Sequence, residues 1–218
     1  RQMANGWQVE VISRGVTQSH FSKAVIDTTG DATGARWLSP SLWTMAPPEK
    51  LYRPAYICAL PKVTGEHGEG WRLALGALIV KGIRSKALPE TAMGAAFRDS
   101  TFAEEMFMTM DLEAGQGQWD PFDPTKRADL EASGRLTAIS VWRYLREHHA
   151  DFHNCPPPQF PAQAGIRETA RYVGDETLTG EDLAANRRFE NEIALAGWPM
   201  EKRENARGPK FRYFNQPQ

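Results

Sequence analysis

Val25-Ile26-Asp27-Thr28-Thr29-Gly30-Asp31-Ala32 is a short apolar run closed by threonines, a glycine and an acid. With Lys23 and Ala24 in front, it reads as a strand over Lys23 to Asp27. A mostly apolar strand of this kind suits an α/β sheet covered on both faces. Gly30 then stands where the backbone must adopt positive φ or come close to something bulky. Asp31 falls at the carboxyl end of the strand, the edge at which open α/β sheets bind ligands. A plain strand-to-loop turn would use the same residues.

Upstream, Trp7, Val9 and Val11 alternate with Gln8 and Glu10, the period of a half-buried strand, and Arg14-Gly15 supplies a turn. Downstream, residues 36–50 carry Pro40, Pro47 and Pro48 and read as loop. Tyr52 to Val63 and Trp71 to Val80 are apolar enough to be strands, separated by the turn-rich stretch 64–70. Met106, Met108, Met110 and Leu112 share one face of a further strand, with Phe107, Thr109 and Asp111 on the other. Methionine so spaced is a core filler.

Asp123 as cap and Pro124 at the first helical position open a helix. Its Leu136, Ile139, Trp142 and Leu145 fall on one side. Pro156-Pro157-Pro158 and Pro161 read as a stiff connector, and residues 165–174 as a strand. Thr179 to Asp182 matches a capping box before a short helix near Leu183 to Arg187. The pattern implies a mixed α/β (α+β) class, with a partly antiparallel sheet in the middle section.

Of the 218 residues, 41% are hydrophobic and 24% charged, which are globular values, and the net charge is -1. Nucleic acid and anionic membranes favour a basic excess, so neither is expected as a partner. No apolar run approaches the roughly 20 residues of a membrane-spanning helix. The start of the chain lacks a secretory apolar region. Cys58 and Cys155 lie far apart without CxxC spacing, which suggests two buried thiols and a cytoplasmic setting.

Two further clusters hold chemistry-capable side chains. On a strand, Arg167, Thr169 and Arg171 share a face, with Glu168 on the other. Two guanidinium groups together suit a carboxylate or another anion. They equally suit ion pairs with nearby acids. His148, His149, His153 and Cys155 contain zinc-type ligands, but no second cluster completes a four-ligand set, so no metal is expected. There is no Gly-x-Ser-x-Gly, and Ser133 and Ser140 fall inside the helix without a base. The tryptophans Trp37, Trp43, Trp71, Trp119, Trp142 and Trp198 read as core or interface packing, with the lining of a sugar or ring-shaped substrate pocket as the alternative for a few.

The first stretch resembles the VIDATGD turn of flavoproteins with two dinucleotide-binding domains. Residues 164–182, Ala164-Gly165-Ile166-Arg167-Glu168-Thr169-Ala170-Arg171 onward to Asp182, resemble the signature GIRETRR-x-x-G-x-x-x-L-T-x-x-D. That signature belongs to FAD-dependent oxidoreductases of the xanthan-lyase-like kind. Phe189, Ala194 and Gly197-Trp198-Pro199 continue the similarity. The two blocks stand about 130 residues apart. Ala170 replaces the first arginine of the family's pair, while Arg171 keeps the second.

The resemblance implies FAD as cofactor, with Thr29, Gly30 and Asp31 against it. It implies Arg167 and Arg171 as catalytic residues on the substrate side, all facing one isoalloxazine. Residues 1–50 would be part of a Rossmann-like FAD-binding domain, and 51–218 a substrate-side or cap domain. The reaction implied is hydride transfer between flavin and a small-molecule or sugar-like substrate. The family's Gly-x-Gly-x-x-Gly loop would lie before Arg1 and its closing Ala-Gly-Arg block after Gln218. The chain is therefore expected to be a middle fragment, completed by the rest of the same polypeptide or by another subunit, with little FAD affinity alone. Two cysteines cannot supply the four thiolates of an iron–sulfur cluster. A non-enzymatic carbohydrate- or protein-binding module is the rival reading.

Overall fold

A computed structural model describes residues 1–113, 119–194, 197–203 and 209–213. It divides the chain into two compact units, one made of Arg1–Met45 with Ala170–Asp175, the other of Ala46–Thr169 with Glu176–Gln218.

In the first unit, Gln2–Met3 (β1), Gly6–Ser13 (β2) and Val16–Ser22 (β3) form an antiparallel meander in the order β1-β2-β3. Arg14 and Gly15 both carry positive φ, 49° and 77°. Two such residues in succession make the tight turn whose twist matches a hairpin. β3 therefore starts at once on Val16, and its ladder runs Ser13↔Val16 to Trp7↔Ser22.

The strand expected over Lys23 to Asp27 does not form. The partner of β2 is the polar, exposed segment 16–22. Lys23 to Asp27 is not a strand, and Val25 and Ile26 are 52% and 85% exposed. The tight turn gave the ladder to β3, and among the described residues no strand pairs with residues 23–27.

Residues 36–50 are more ordered than a loop. Thr33–Leu38 forms a short helix (α1), Pro40–Leu42 and Pro48–Lys50 single 3-10 turns, and Trp43–Thr44 a strand (β4). β4 pairs antiparallel with Arg171–Tyr172 (designated β8 below), in the register Trp43↔Tyr172 and Thr44↔Arg171.

The second unit is built on an antiparallel sheet ordered β5-β7-β6, from Ala55–Pro61 (β5), Ala96–Asp99 (β6) and Glu105–Asp111 (β7). The alternation anticipated for β7 is seen: Met106, Met108 and Met110 are fully buried. Each such side chain contributes on the order of 1.5–3 kcal/mol relative to an exposed one. The free edge of β5 is flanked by the proline-rich connector, through paired backbone bonds of Ala59 with Gln159 and of Ala55 with Gly165.

Trp71 to Val80 is helix, not strand, within Glu69–Arg84 (α2). A run of Leu, Ala and Ile has no period of its own, and length decides. Sixteen residues bury Leu75, Ile79 and Gly82, spaced by four and three as one helical face. Pro124–His148 (α3) begins as expected, the Asp123 carboxylate accepting from the Thr125 and Lys126 amides. Its buried face runs through Leu130, Gly134, Ala138, Val141, Trp142 and Leu145, whereas Leu136 is 67% exposed.

Gly134 lets α3 approach β5. A Cβ there would stand 2.5 Å from the Tyr56 ring, which cannot bend away. The Tyr56 hydroxyl donates to Glu131 Oε1 at 2.7 Å, and burial, then that carboxylate, push its pKa up to about 12.

Arg171–Tyr172 (β8) is the whole of the strand expected over 165–174. Thr179 opens Gly180–Ala184 (α4) with the anticipated capping box, but the helix stops before Arg187, whose guanidinium turns back to Asp182 at 2.9 Å. Met200–Lys202 (β9) and Lys210–Arg212 (β10) close as an antiparallel pair. The rest of the aromatic end, residues 214–218, lies outside the described residues. Among the described residues no helix is long and apolar enough to cross a membrane.

Candidate functional site

The turn after Ile26 is organised by one carboxylate. Asp27 Oδ1 accepts from the Thr29 amide at 2.9 Å and from the Thr29 hydroxyl at 2.7 Å. Oδ2 accepts from the Gly34 amide at 2.6 Å and from the Tyr172 hydroxyl at 2.5 Å. An aspartate bonding the amide two residues on is the mechanism of an Asx turn. Thr29 passes the pattern along, its oxygen accepting from the Asp31 and Thr33 amides, each at 3.3 Å. The Tyr172 bond first, then those from Thr29 and Gly34, hold the Asp27 carboxyl well below its usual range. The same bond raises the Tyr172 pKa.

Gly30 carries φ 77°, and nothing lies within 4 Å of the place a Cβ would occupy. A glycine is needed there for its backbone angle, not for lack of room. The outer side of Thr29-Gly30 is exposed, and Asp31 is half-buried. The turn is thus hydrogen-bonded on its inner side and open at Gly30.

Arg167 and Arg171 do not share the face of a strand. Residues 166–170 are irregular, and the two arginines belong to different units. The chain leaves the sheet edge after Gly165 and re-enters a ladder only at β8. Arg171 stands opposite Thr44, exposed, in the unit that holds Thr29, Gly30 and Asp31.

Arg167 Nη2 bonds Asp111 Oδ1 at 3.0 Å. Arg203 Nη1 straddles the same carboxylate at 2.9 and 2.8 Å, and its Nε bonds Glu201. Asp111 is 2% exposed, so two cations compensate one buried anion. Burial first, then the Arg203 charge, lower the Arg167 pKa. Glu168 accepts from the Tyr52 amide at 3.3 Å.

Three residues were not singled out from the sequence. Tyr172 lies within the second motif but at a position that spacing gave no reason to select. Asp111, ending a methionine strand on its non-core face, signalled a charge that had to be met. Arg203 carries no motif at all.

The histidine stretch packs as aromatic rings. His149 lies edge-on to Trp71 and Phe152, with centroids 5.7 and 5.5 Å away, and His148 stacks on Tyr144 at 4.1 Å. The Trp71 indole donates to Asp151 at 2.7 Å. Among the described residues no three His, Cys, Asp or Glu side chains gather as a metal site would need. Trp119 and Trp142 are buried, but Trp37 and Trp198 are 82% and 71% exposed. Cys58 and Cys155 are buried and free, burial pushing their thiols up to about 12 and about 11.

The sequence matches the family described as FAD dependent oxidoreductase over residues 2–218. No curated protein and no solved structure matches the chain.

Proposed function

Since the chain belongs to the FAD-dependent oxidoreductase family, we propose that Thr29, Gly30 and Asp31 form a wall of its flavin site in a xanthan-lyase-like member. The cofactor of the family is FAD, which supplies the two-electron chemistry when bound. The reaction is hydride exchange with a C–H bond of a small-molecule or sugar-like substrate. A carbohydrate- or protein-binding module without redox chemistry draws no support from the family match.

The observation that carries this reading is the turn itself: four bonds on Asp27 fix a backbone corner whose outer side is open at Gly30. The chain's residues contribute orientation. Asp27 and Thr29 hold the corner, and Gly30 lets backbone approach without a side chain in the way. Arg171 is exposed and lies in the same unit as the turn, which keeps it on the substrate side of this reading. For Arg167 the bond to buried Asp111 favours the ion-pair role over the substrate role.

Titrating FAD into the full chain by flavin fluorescence tests the reading. The wild type should take up FAD weakly, as expected of these residues alone, and quench flavin fluorescence as it does so. Gly30→Val forces a β-branched residue to φ 77° and should weaken binding about tenfold or more, from about 1–3 kcal/mol of backbone strain. Equal affinity in the two would remove Gly30 from the site.

A further inference from the structure

The bond between Tyr172 and Asp27 spans 145 residues and joins the two sequence blocks within one unit. Tyr172 is 51% exposed, so burial of its ring contributes little to stability. Its strand is only two residues long, extended by the Val173 amide bonding the Leu42 carbonyl at 2.9 Å. What the side chain adds is its hydroxyl. Space is reserved for it: a Cβ on Gly34 would lie 3.1 Å from both the Tyr172 oxygen and Asp27 Oδ2.

We propose that Tyr172 is a positioning residue for the cofactor, locking Asp27 and through it the Thr29–Asp31 turn in the shape that receives FAD. This rests on the reading of the turn given above. The bonds from Thr29 hold only Oδ1 of Asp27. Oδ2 is held by Gly34 and Tyr172, and removing the hydroxyl leaves that oxygen to the Gly34 amide alone. Without the hydroxyl the turn samples more shapes, and a ligand must then order it on binding. Apparent affinity falls by the fraction of time the turn is misplaced. The fold itself is left alone, because nothing in the core depends on that bond.

The test is Tyr172→Phe in the full chain, read in three ways. FAD affinity should fall about three- to tenfold, as for one hydrogen bond. Hydrogen exchange without FAD should accelerate at the Thr29 and Gly34 amides, while the thermal midpoint stays put. In a double-mutant cycle, Tyr172→Phe should add little once Asp27→Asn is present. Tyr213→Phe, a second exposed tyrosine in the other unit, should change none of these.

Wild-type affinity and exchange in Tyr172→Phe would overturn the positioning role and leave the flavin turn standing. FAD uptake that Gly30→Val leaves unchanged would overturn the turn's reading and the inference with it. Failure of Tyr172→Phe to fold would also overturn it, since the residue would then serve the fold.

Discussion

Asp27 and Asp111 each close an apolar stretch, and each is saturated with donors, yet the two are held in opposite ways. Asp27 lies near the surface and accepts from neutral groups: two amides and two hydroxyls. Asp111 is 2% exposed and is met by two guanidinium groups. Neutral donors at a surface shape a turn at small cost in desolvation, and the turn stays open to a ligand. A buried carboxylate needs full charge compensation, and the arginines that give it are thereby committed. The difference separates a corner suited to binding from a junction that holds distant segments of chain together.

The strongest way to break the comparison is at Asp111. Asp111→Ala leaves Arg167 and Arg203 with only Glu201 to offset them, their side chains only 25% and 17% exposed. Breaking a buried pair from one side costs about 3–5 kcal/mol. Urea unfolding should register a loss of that size, whereas Asp27→Asn should leave global stability nearly unchanged. Similar losses from both would erase the distinction.

Next comes Gly134→Ala, which puts a methyl group 2.5 Å from the Tyr56 ring. Overpacking of this kind costs about 1–3 kcal/mol, against the gain usual for alanine in a helix. Thermal denaturation should show a lowered midpoint, while FAD titration at the other unit's turn should be indifferent.

Smaller still is the pH response of the turn. The Asp27 carboxyl lies below its ordinary 3.8, so its contribution is complete above that value and is lost as pH falls through the lower folded value. The Tyr172 pKa lies above its ordinary 10.0, so its contribution is complete below that value and is lost as pH rises through the higher folded one. The corner should therefore hold from mildly acid to mildly alkaline solution. Absorbance titration of the wild type minus Tyr172→Phe should place the phenol's midpoint above 10.0.

The smallest effect concerns the thiols. Cys58 and Cys155, pushed up to about 12 and about 11 by burial, should stay unreactive to a disulfide reagent at neutral pH in the folded protein. Both should react on unfolding.

Where the sequence was readable, a local rule had no competitor. Period-2 methionines gave β7, Asp123-Pro124 gave the start of α3, and Thr179 with Asp182 gave the cap of α4. Where it misled, an apolar run was indifferent to structure and something distant decided. Residues 71–80 became helix through length and packing. Residues 23–27 lost their strand because the Arg14-Gly15 turn assigned the ladder to a polar segment. Thr29-Gly30-Asp31 was legible as a turn, but its supports were not. Asp27 is read as the end of a strand until Tyr172 arrives from far along the chain. Arg167 and Arg171 looked like one surface because a strand was assumed between them.

The most direct test maps where FAD touches the chain, by following backbone amide shifts in a nuclear magnetic resonance titration. The largest shifts should fall at Thr29, Gly30 and Asp31, with Gly34 and Tyr172 following, and the Asp111 junction should stay unmoved. Saturable FAD binding that leaves residues 29–31 unshifted would contradict the reading of the turn as a flavin wall.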